Sequence, residues 1–204
     1  MNFIIAGIHT GIGKTICSAI FTEALGYDYW KPVQAGDLDA SDSIFIKNHI
    51  SNPLSKIHSE AYRLTQPMSP HAAAKIDSTE ITLAGLKLPF SQNSIIVETA
   101  GGIMSPLSDT LVNLDLIKHL ALPVVLVTHD YLGSINHTLL SIEILRGAHV
   151  PILGLVFSGE KVGSTRSFIQ QYSGLETVLE IPFFEKLDRE TLVRFANSKP
   201  FLSF

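Results

Sequence analysis

Cysteine is almost missing from this chain: Cys17 stands alone among 204 residues. That excludes an internal disulfide and a cysteine-built metal site, and it suits a reducing compartment. Cys17 itself reads as a small buried packing residue. Charge is scarce as well. Asp, Glu, Lys and Arg make up 17%, and a net charge of −4 offers no basic field to a DNA or RNA backbone. No apolar run reaches the roughly 18 to 20 residues of a membrane span, and Met1-Asn2 begins no secretory leader. The expectation is a cytoplasmic protein with neither nucleic acid nor membrane as partner. Repeats, charge blocks and low-complexity tracts are absent. Apolar residues at 46% instead fit one globular domain over residues 1–204 with a sizeable core.

The apolar residues fall in short continuous runs separated by segments of helical period. Strands are predicted at Asn2 to Ala6, Tyr27 to Lys31, Ser94 to Glu98, Val124 to Thr128, Ile152 to Phe157 and Thr177 to Ile181. Helices are predicted at Lys14 to Leu25, Ser41 to His49, Val112 to Leu120, Ile135 to Arg146, Thr165 to Tyr172 and Asp188 to Ala196. Continuous Val/Ile/Leu runs alternating with helices indicate an α/β fold, a mainly parallel sheet with helices on both faces. Ser51 to Gln92, proline-rich and weakly periodic, reads as an excursion from that sheet rather than a second domain.

The first strand empties into Gly7-Ile8-His9-Thr10-Gly11-Ile12-Gly13-Lys14-Thr15. A buried strand, a glycine-rich turn and Lys-Thr opening a helix form a phosphate-binding loop. Backbone N–H groups and the positive end of the helix converge on the anion. Lys14 is placed for the β- and γ-phosphates of a nucleoside triphosphate, and the Thr15 hydroxyl for Mg²⁺. The usual pattern holds four residues between its outer glycines, whereas Gly7 and Gly13 enclose five, so the loop is a variant.

Ligands of a parallel sheet sit beyond the carboxyl ends of its strands. Polar or glycine-rich residues gather at those ends here: Lys31-Pro32-Val33-Gln34, Glu98 to Gly102, Thr128-His129-Asp130 and Ser158-Gly159. Glu98, directly after Ile95-Ile96-Val97, and Asp42 would join Thr15 as hard oxygen ligands of Mg²⁺; Asp42 also reads as an ordinary acid in a first helical turn. Lys31 at its strand exit offers a second ammonium to a transferring phosphoryl group or an acidic substrate. Ala100-Gly101-Gly102 allows close backbone approach, or simply forms a tight turn. The helix start Gly133-Ser134-Ile135-Asn136-His137 is either an anion site or a plain cap by Ser134. The histidines show neither a Ser-His-Asp pattern nor metal-ligand spacing.

Taken in order, these segments resemble the dethiobiotin synthetase family. The resemblance rests on the variant loop, Lys31-Pro32-Val33, Ser41-Asp42, Ser69-Pro70-His71, Glu98 to Gly102, Pro106-Leu107-Ser108-Asp109, Leu132 to His137 and Glu180-Ile181-Pro182, and it covers most of the chain. It implies a three-layer, P-loop NTPase-like fold with a seven-stranded, mainly parallel sheet, in a homodimer with the active site at the interface. It also implies 7,8-diaminononanoate, CO₂ and ATP as substrates with Mg²⁺. The reaction implied is ring closure through a carbamate and a carbamic–phosphoric anhydride.

By the same resemblance Lys31, Lys14 and Thr10 are catalytic. Gly11, Ile12, Gly13, Lys14, Thr15, Ile16 and Ser158 hold the nucleotide, and Thr15, Asp42 and Glu98 hold the metal. Lys31, Ala35, Gly101 and Gly102, with Gly133, Ser134, Ile135 and Asn136 from a partner subunit, bind the diamine. Four positions depart from the family pattern. Ser158 and Gly159 replace an Asn-Asp pair that reads the adenine edge, Gly11 stands where some relatives carry Glu, and Ala35 where a hydroxyl is common. The first departure opens the site to other nucleoside triphosphates.

The competing reading is an ATPase switch of the ParA/MinD type, which shares the sheet and a deviant loop. Its signature lysine would fall at His9, and the end Ser198 to Phe204 is too short for a membrane-binding tail. An amidoligase of related fold would need a glutaminase domain for which the chain has no room.

Overall fold

A computed structural model describes residues 1–199; most of the Ser198 to Phe204 segment weighed above lies outside the described residues. The chain runs β1 (Phe3–Gly7), α1 (Lys14–Leu25), β2 (Asp28–Trp30), β3 (Val33–Ala35), α2 (Asp42–His49), β4 (Ile57–His58), β5 (Tyr62–Leu64), α3 (Pro70–Ile76), β6 (Ile95–Gly102), α4 (Asn113–Leu120), β7 (Val124–His129), α5 (Ser134–Gly147), β8 (Ile152–Ser158), α6 (Thr165–Ser173), β9 (Thr177–Ile181) and α7 (Arg189–Asn197). Seven strands form one sheet in the order β4-β2-β6-β1-β7-β8-β9, and every pairing in it is parallel. This is the α/β, P-loop NTPase-like architecture expected from the sequence. All six predicted helices form, within two residues of their expected ends.

The alternation of side chains along a strand explains the three layers. On β1, Phe3 and Ile5 face one side with Ile20 and Phe21 of α1, Ile46 of α2 and Leu192 of α7. Ile4 and Ala6 face the other, with Ile117 of α4, Ile142 and Leu145 of α5 and Ile169 of α6. Burying each of these large side chains stabilises the fold by roughly 1.5–3 kcal/mol, and both faces of β1 contribute. Cys17 is buried in the first of these clusters, as expected.

Two features depart from the sequence-based reading. Six strands were predicted, and the seventh, β4, lies inside the Ser51 to Gln92 excursion; at two residues it is too short for a period to register. The same excursion supplies β5, which pairs with β3 in a separate parallel two-stranded sheet, and α3, opened by Pro70. These pack over a third cluster that includes Val33, Leu64, Ala73 and Leu107.

The second departure is β6. It continues through Gly102, so Glu98 lies inside the strand and is fully buried instead of standing at its exit. Glycine permits the extension: after an irregularity at residue 6, Gly7 pairs with Gly102. The Asn113 side-chain amide then donates to the carbonyls of Ala100 (2.6 Å) and Gly102 (2.8 Å).

Candidate active site

Gly13 precedes helix α1 as its cap residue, in a left-handed conformation (φ 91°) and without a side-chain cap, so no side chain occupies the first free N–H groups of the helix. Lys14, buried, donates from Nζ to the His9 carbonyl at 2.9 Å and folds back across the loop it follows. Burial pulls its ammonium down to about 8, with Lys31 adding to the shift and Glu98 and Asp42 opposing it. An anion entering the loop would return the positive charge to its preferred state.

Behind the loop sits a compact polar cluster. Thr15 Oγ1 lies 2.9 Å from Asp42 Oδ1 and 3.0 Å from Glu98 Oε1. Ser18 and Tyr29 donate to Glu98 Oε2 at 2.7 and 3.0 Å. The Lys31 ammonium pairs with Asp42 Oδ2 and stands 3.4 Å from Glu98 Oε1. Burial alone would lower the Lys31 pKa, but the two carboxylates outweigh it and hold the ammonium above the ordinary lysine value. Burial, reinforced by Glu98 and Asp42, pushes the Tyr29 hydroxyl well up, so it remains a proton donor to Glu98.

The donor set suits a hard divalent cation. Thr15 has a single hydroxyl hydrogen and cannot satisfy both carboxylates at once, leaving acceptor capacity pointed at one spot. Two carboxylate oxygens and a hydroxyl are the ligand type Mg²⁺ takes together with phosphate oxygens and water. Among the described residues no group of three His, Cys, Asp or Glu side chains forms a metal cage. Such an ion would therefore depend on the triphosphate for further ligands.

Two cavities open on this cluster. A smaller one, about 300 Å³, is lined by Thr10, Gly11, Gly13, Lys14, Thr15, Ile16, Lys31, Asp42, Glu98 and Gly101. A larger one, about 520 Å³, is lined by Lys31, Val33, Gln34, Ala35 and Asp37 from the β2–β3 region. Asp42, Pro67 to Pro70, Thr10, Ala100, Gly101 and Ser105 complete its wall. Thr10, Lys31, Asp42 and Gly101 belong to both and form their common wall. The structure thus brings together Lys14, Thr15, Lys31, Asp42 and Glu98, with Thr10, Ile16, Ala35, Gly11, Gly13 and Gly101 around them. Ile12 is buried in the core behind the loop, and Gly102 lies beneath Ile8.

Two other predicted groups line neither cavity. Residues Gly133 to Asn136 line neither cavity of their own chain. Ser134 does not cap α5; Gly133 is the cap position, and the buried Ser134 Oγ accepts from the Tyr131 N–H at 3.3 Å. An alternative in which Ser134 is a plain helix cap is therefore corrected, because a left-handed glycine turns the chain into the helix one residue earlier. Ser158 abuts the loop: its Oγ lies 2.5 Å from where a Gly13 side chain would begin. At Gly159 (φ 81°) a Cβ would fall 2.4 Å from the His129 ring, so that position has no room for a side chain.

Sequence reasoning missed Ser18, Tyr29, Asp37 and Asn113, and it placed Gln34 at a strand exit without a role. Ser18 lies one helical turn from Thr15 and Lys14, a spacing that could have flagged it. Tyr29 lies in an all-buried strand where no pattern marks a polar target. Gln34, whose Oε1 faces the Asp42 N–H at 3.4 Å, joins elements whose contact only the fold creates.

Residues 1–191 match a family model described as an AAA domain. The ATP-dependent dethiobiotin synthetase BioD of Christiangramia forsetii is 44% identical over 91% of both chains. That of Cytophaga hutchinsonii is 43% identical, over 96% of this chain and 95% of its own. Among solved structures, a plasmid partition protein from Borrelia burgdorferi superposes with a TM-score of 0.58 at 14% identity, covering 97% of this chain and 96% of its own. A ParA family ATPase from Chlorobium tepidum gives 0.54 at 15%, covering 96% and 97%. At such identities the structural likeness extends to the fold alone.

Proposed function

The chain belongs to the ATP-dependent dethiobiotin synthetase family, C–N bond-forming cyclo-ligases of biotin biosynthesis, and from that premise we propose how its two cavities divide the reaction. The observation that carries the reading is their common wall. Lys31 and Thr10 face both the cavity over the phosphate loop and the larger cavity beside it. A group built in one can therefore react with a phosphoryl group held in the other.

In this reading 7,8-diaminononanoate occupies the larger cavity, against Ala35, Gly101 and Lys31. One amine adds to the carbon of CO₂ and loses a proton, giving a carbamate whose negative charge Lys31 receives and Thr10 orients. ATP lies along Gly11 to Ile16, with Lys14 on its β- and γ-phosphates and its base end near Ser158. The carbamate oxygen attacks the γ-phosphorus and expels ADP, leaving a carbamic–phosphoric anhydride. The second amine then attacks the anhydride carbonyl, closes the ureido ring and releases phosphate. Carbamate formation needs no protein nucleophile, in keeping with a site that holds no catalytic triad. Thr15, Asp42 and Glu98 would hold Mg²⁺, which when bound neutralises charge on the triphosphate.

Residues 133–136 line neither cavity of their own chain, so the reading includes a homodimer in which Gly133, Ser134, Ile135 and Asn136 of a second copy take the carboxylate tail at the start of its α5. We assign residues 1–204 to a single domain and the protein to the cytoplasm, with no nucleic-acid or membrane partner. Among the described residues no helix is long and apolar enough to cross a membrane.

The experiment is direct: purified protein with Mg-ATP, bicarbonate and the diamine yields dethiobiotin and stoichiometric ADP. ATP turnover that ignores the diamine and yields no ureido product overturns the reading. It would favour the ParA/MinD-type switch, which at present has only the fold in its support.

A further inference from the structure

Three charged side chains line the larger cavity: Lys31, Asp37 and Asp42. Lys31 and Asp42 are paired with each other. Asp37 is exposed, and among the described residues its carboxylate makes neither an ion pair nor a side-chain hydrogen bond, so the cavity wall carries one charge without a protein partner, and it is negative.

That carboxylate is mounted on a fixed turn. The Gln34 amide donates to the Gly36 carbonyl at 3.0 Å, and the Gly36 N–H donates to the Leu64 carbonyl at 2.8 Å. The Ala40 N–H donates to the Asp37 carbonyl at 2.9 Å. Asp37 itself is left-handed (φ 50°), a conformation that Asp and Asn adopt more readily than other side chains. Asp37 is absent from the wall of the phosphate cavity, so its charge acts on the ligand of the larger one.

We propose that Asp37 is a specificity-determining residue that receives the cationic amine of the diamine, the one not converted to the carbamate, and that this ammonium gives up its proton to solvent before it attacks as the free amine. The cavity then presents a cation at Lys31 and an anion at Asp37. It selects a ligand with a nascent anion and an ammonium side by side, and disfavours monoamines. This rests on the reading given under Proposed function and adds the residue that reads the second amine.

The test uses Asp37→Asn and Asp37→Gly, both of which tolerate the left-handed backbone. The Michaelis constant for 7,8-diaminononanoate should rise at least about tenfold in both, with the added salt sensitivity of an ion pair lost. The dissociation constant for a non-hydrolysable ATP analogue should stay within about twofold of wild type. A diamine Michaelis constant near wild type in either variant overturns the proposal, as does a parallel loss of nucleotide affinity, which would mean a deformed site. Failure of the wild-type protein to form dethiobiotin is a separate result and defeats the functional reading instead.

Discussion

Thr15 and Glu98, 83 residues apart in the chain, meet at 3.0 Å, hydroxyl against carboxylate, at the floor of the phosphate cavity. Glu98 is fully buried and is met on its other oxygen by Ser18 and Tyr29, which leaves Oε1 directed at Thr15 and Lys31. If that oxygen helps to hold Mg²⁺, Glu98→Gln and Thr15→Val should each raise the Mg²⁺ concentration for half-maximal turnover at least about tenfold. Each should raise the barrier by about 2–4 kcal/mol. Magnesium titrations of dethiobiotin formation check this, and an unchanged metal requirement in both variants would count against the assignment.

Lys14 lines the phosphate cavity and Lys31 lines both cavities, and the proposed reaction brings both to the transferring phosphoryl group. Lys31→Ala and Lys14→Ala should each raise the barrier by about 2–4 kcal/mol, a loss of roughly 30- to 1,000-fold in kcat/KM. The two should differ in kind. Lys14→Ala should also weaken binding of an ATP analogue, whereas Lys31→Ala should mainly lower kcat. Near wild-type activity in both would show that the site lies elsewhere.

Base selectivity follows from two positions. Ser158 packs against Gly13 of the phosphate loop, and at Gly159 His129 fills the space of a side chain. The pair then offers the adenine edge one serine hydroxyl in place of an Asn-Asp pair. GTP and CTP should support turnover with kcat/KM within about tenfold of ATP, since a single lost hydrogen bond amounts to ~1 kcal/mol. Competition kinetics with the three nucleotides decide it; a preference of a thousandfold for ATP would require a reader outside residues 158 and 159.

Asp28, the first residue of β2, carries a pH-dependent share of stability. Burial alone would raise its pKa. Hydrogen bonds from the Lys56 N–H, Ser91, His58 and Asn93 outweigh that and hold it below the ordinary value. A carboxylate depressed in the folded state stabilises above its unfolded pKa, and that stabilisation is lost as the pH falls through the lower, folded one. Asp28→Asn should therefore unfold at lower urea than wild type at about pH 7, and the gap should shrink at about pH 3. A gap that stays constant across that range would mean that Asp28 acts through packing alone.

The legibility of this chain varies with the range of the interactions involved. The phosphate loop was readable because its function is local: glycines, a lysine and a helix start lie within nine consecutive residues. Helices α1, α5 and α7 were readable from period. The extension of β6 was not, since a strand that runs through Ala100, Gly101 and Gly102 depends on Gly7 as its partner and on Asn113 as its clamp. Edge strand β4 and the small sheet of β3 and β5 were invisible for a related reason: at two or three residues each, their stability comes from neighbours.

By itself the sequence determined the layered α/β order, the variant loop with Lys14 and Thr15, and the set of residue types from which a phosphoryl-transfer site is made. It did so because strand burial, helical period and loop chemistry are written within a few consecutive residues. The tertiary structure alone decided that Glu98 is a buried carboxylate inside its strand, hydrogen-bonded by Thr15, Ser18, Tyr29 and Lys31. It also decided that Lys31 faces two cavities, and that among the described residues Asp37 is the one charge lining the larger cavity without a partner. Those are relations between residues tens of positions apart, and the free energy of placing a charge depends on what surrounds it in space.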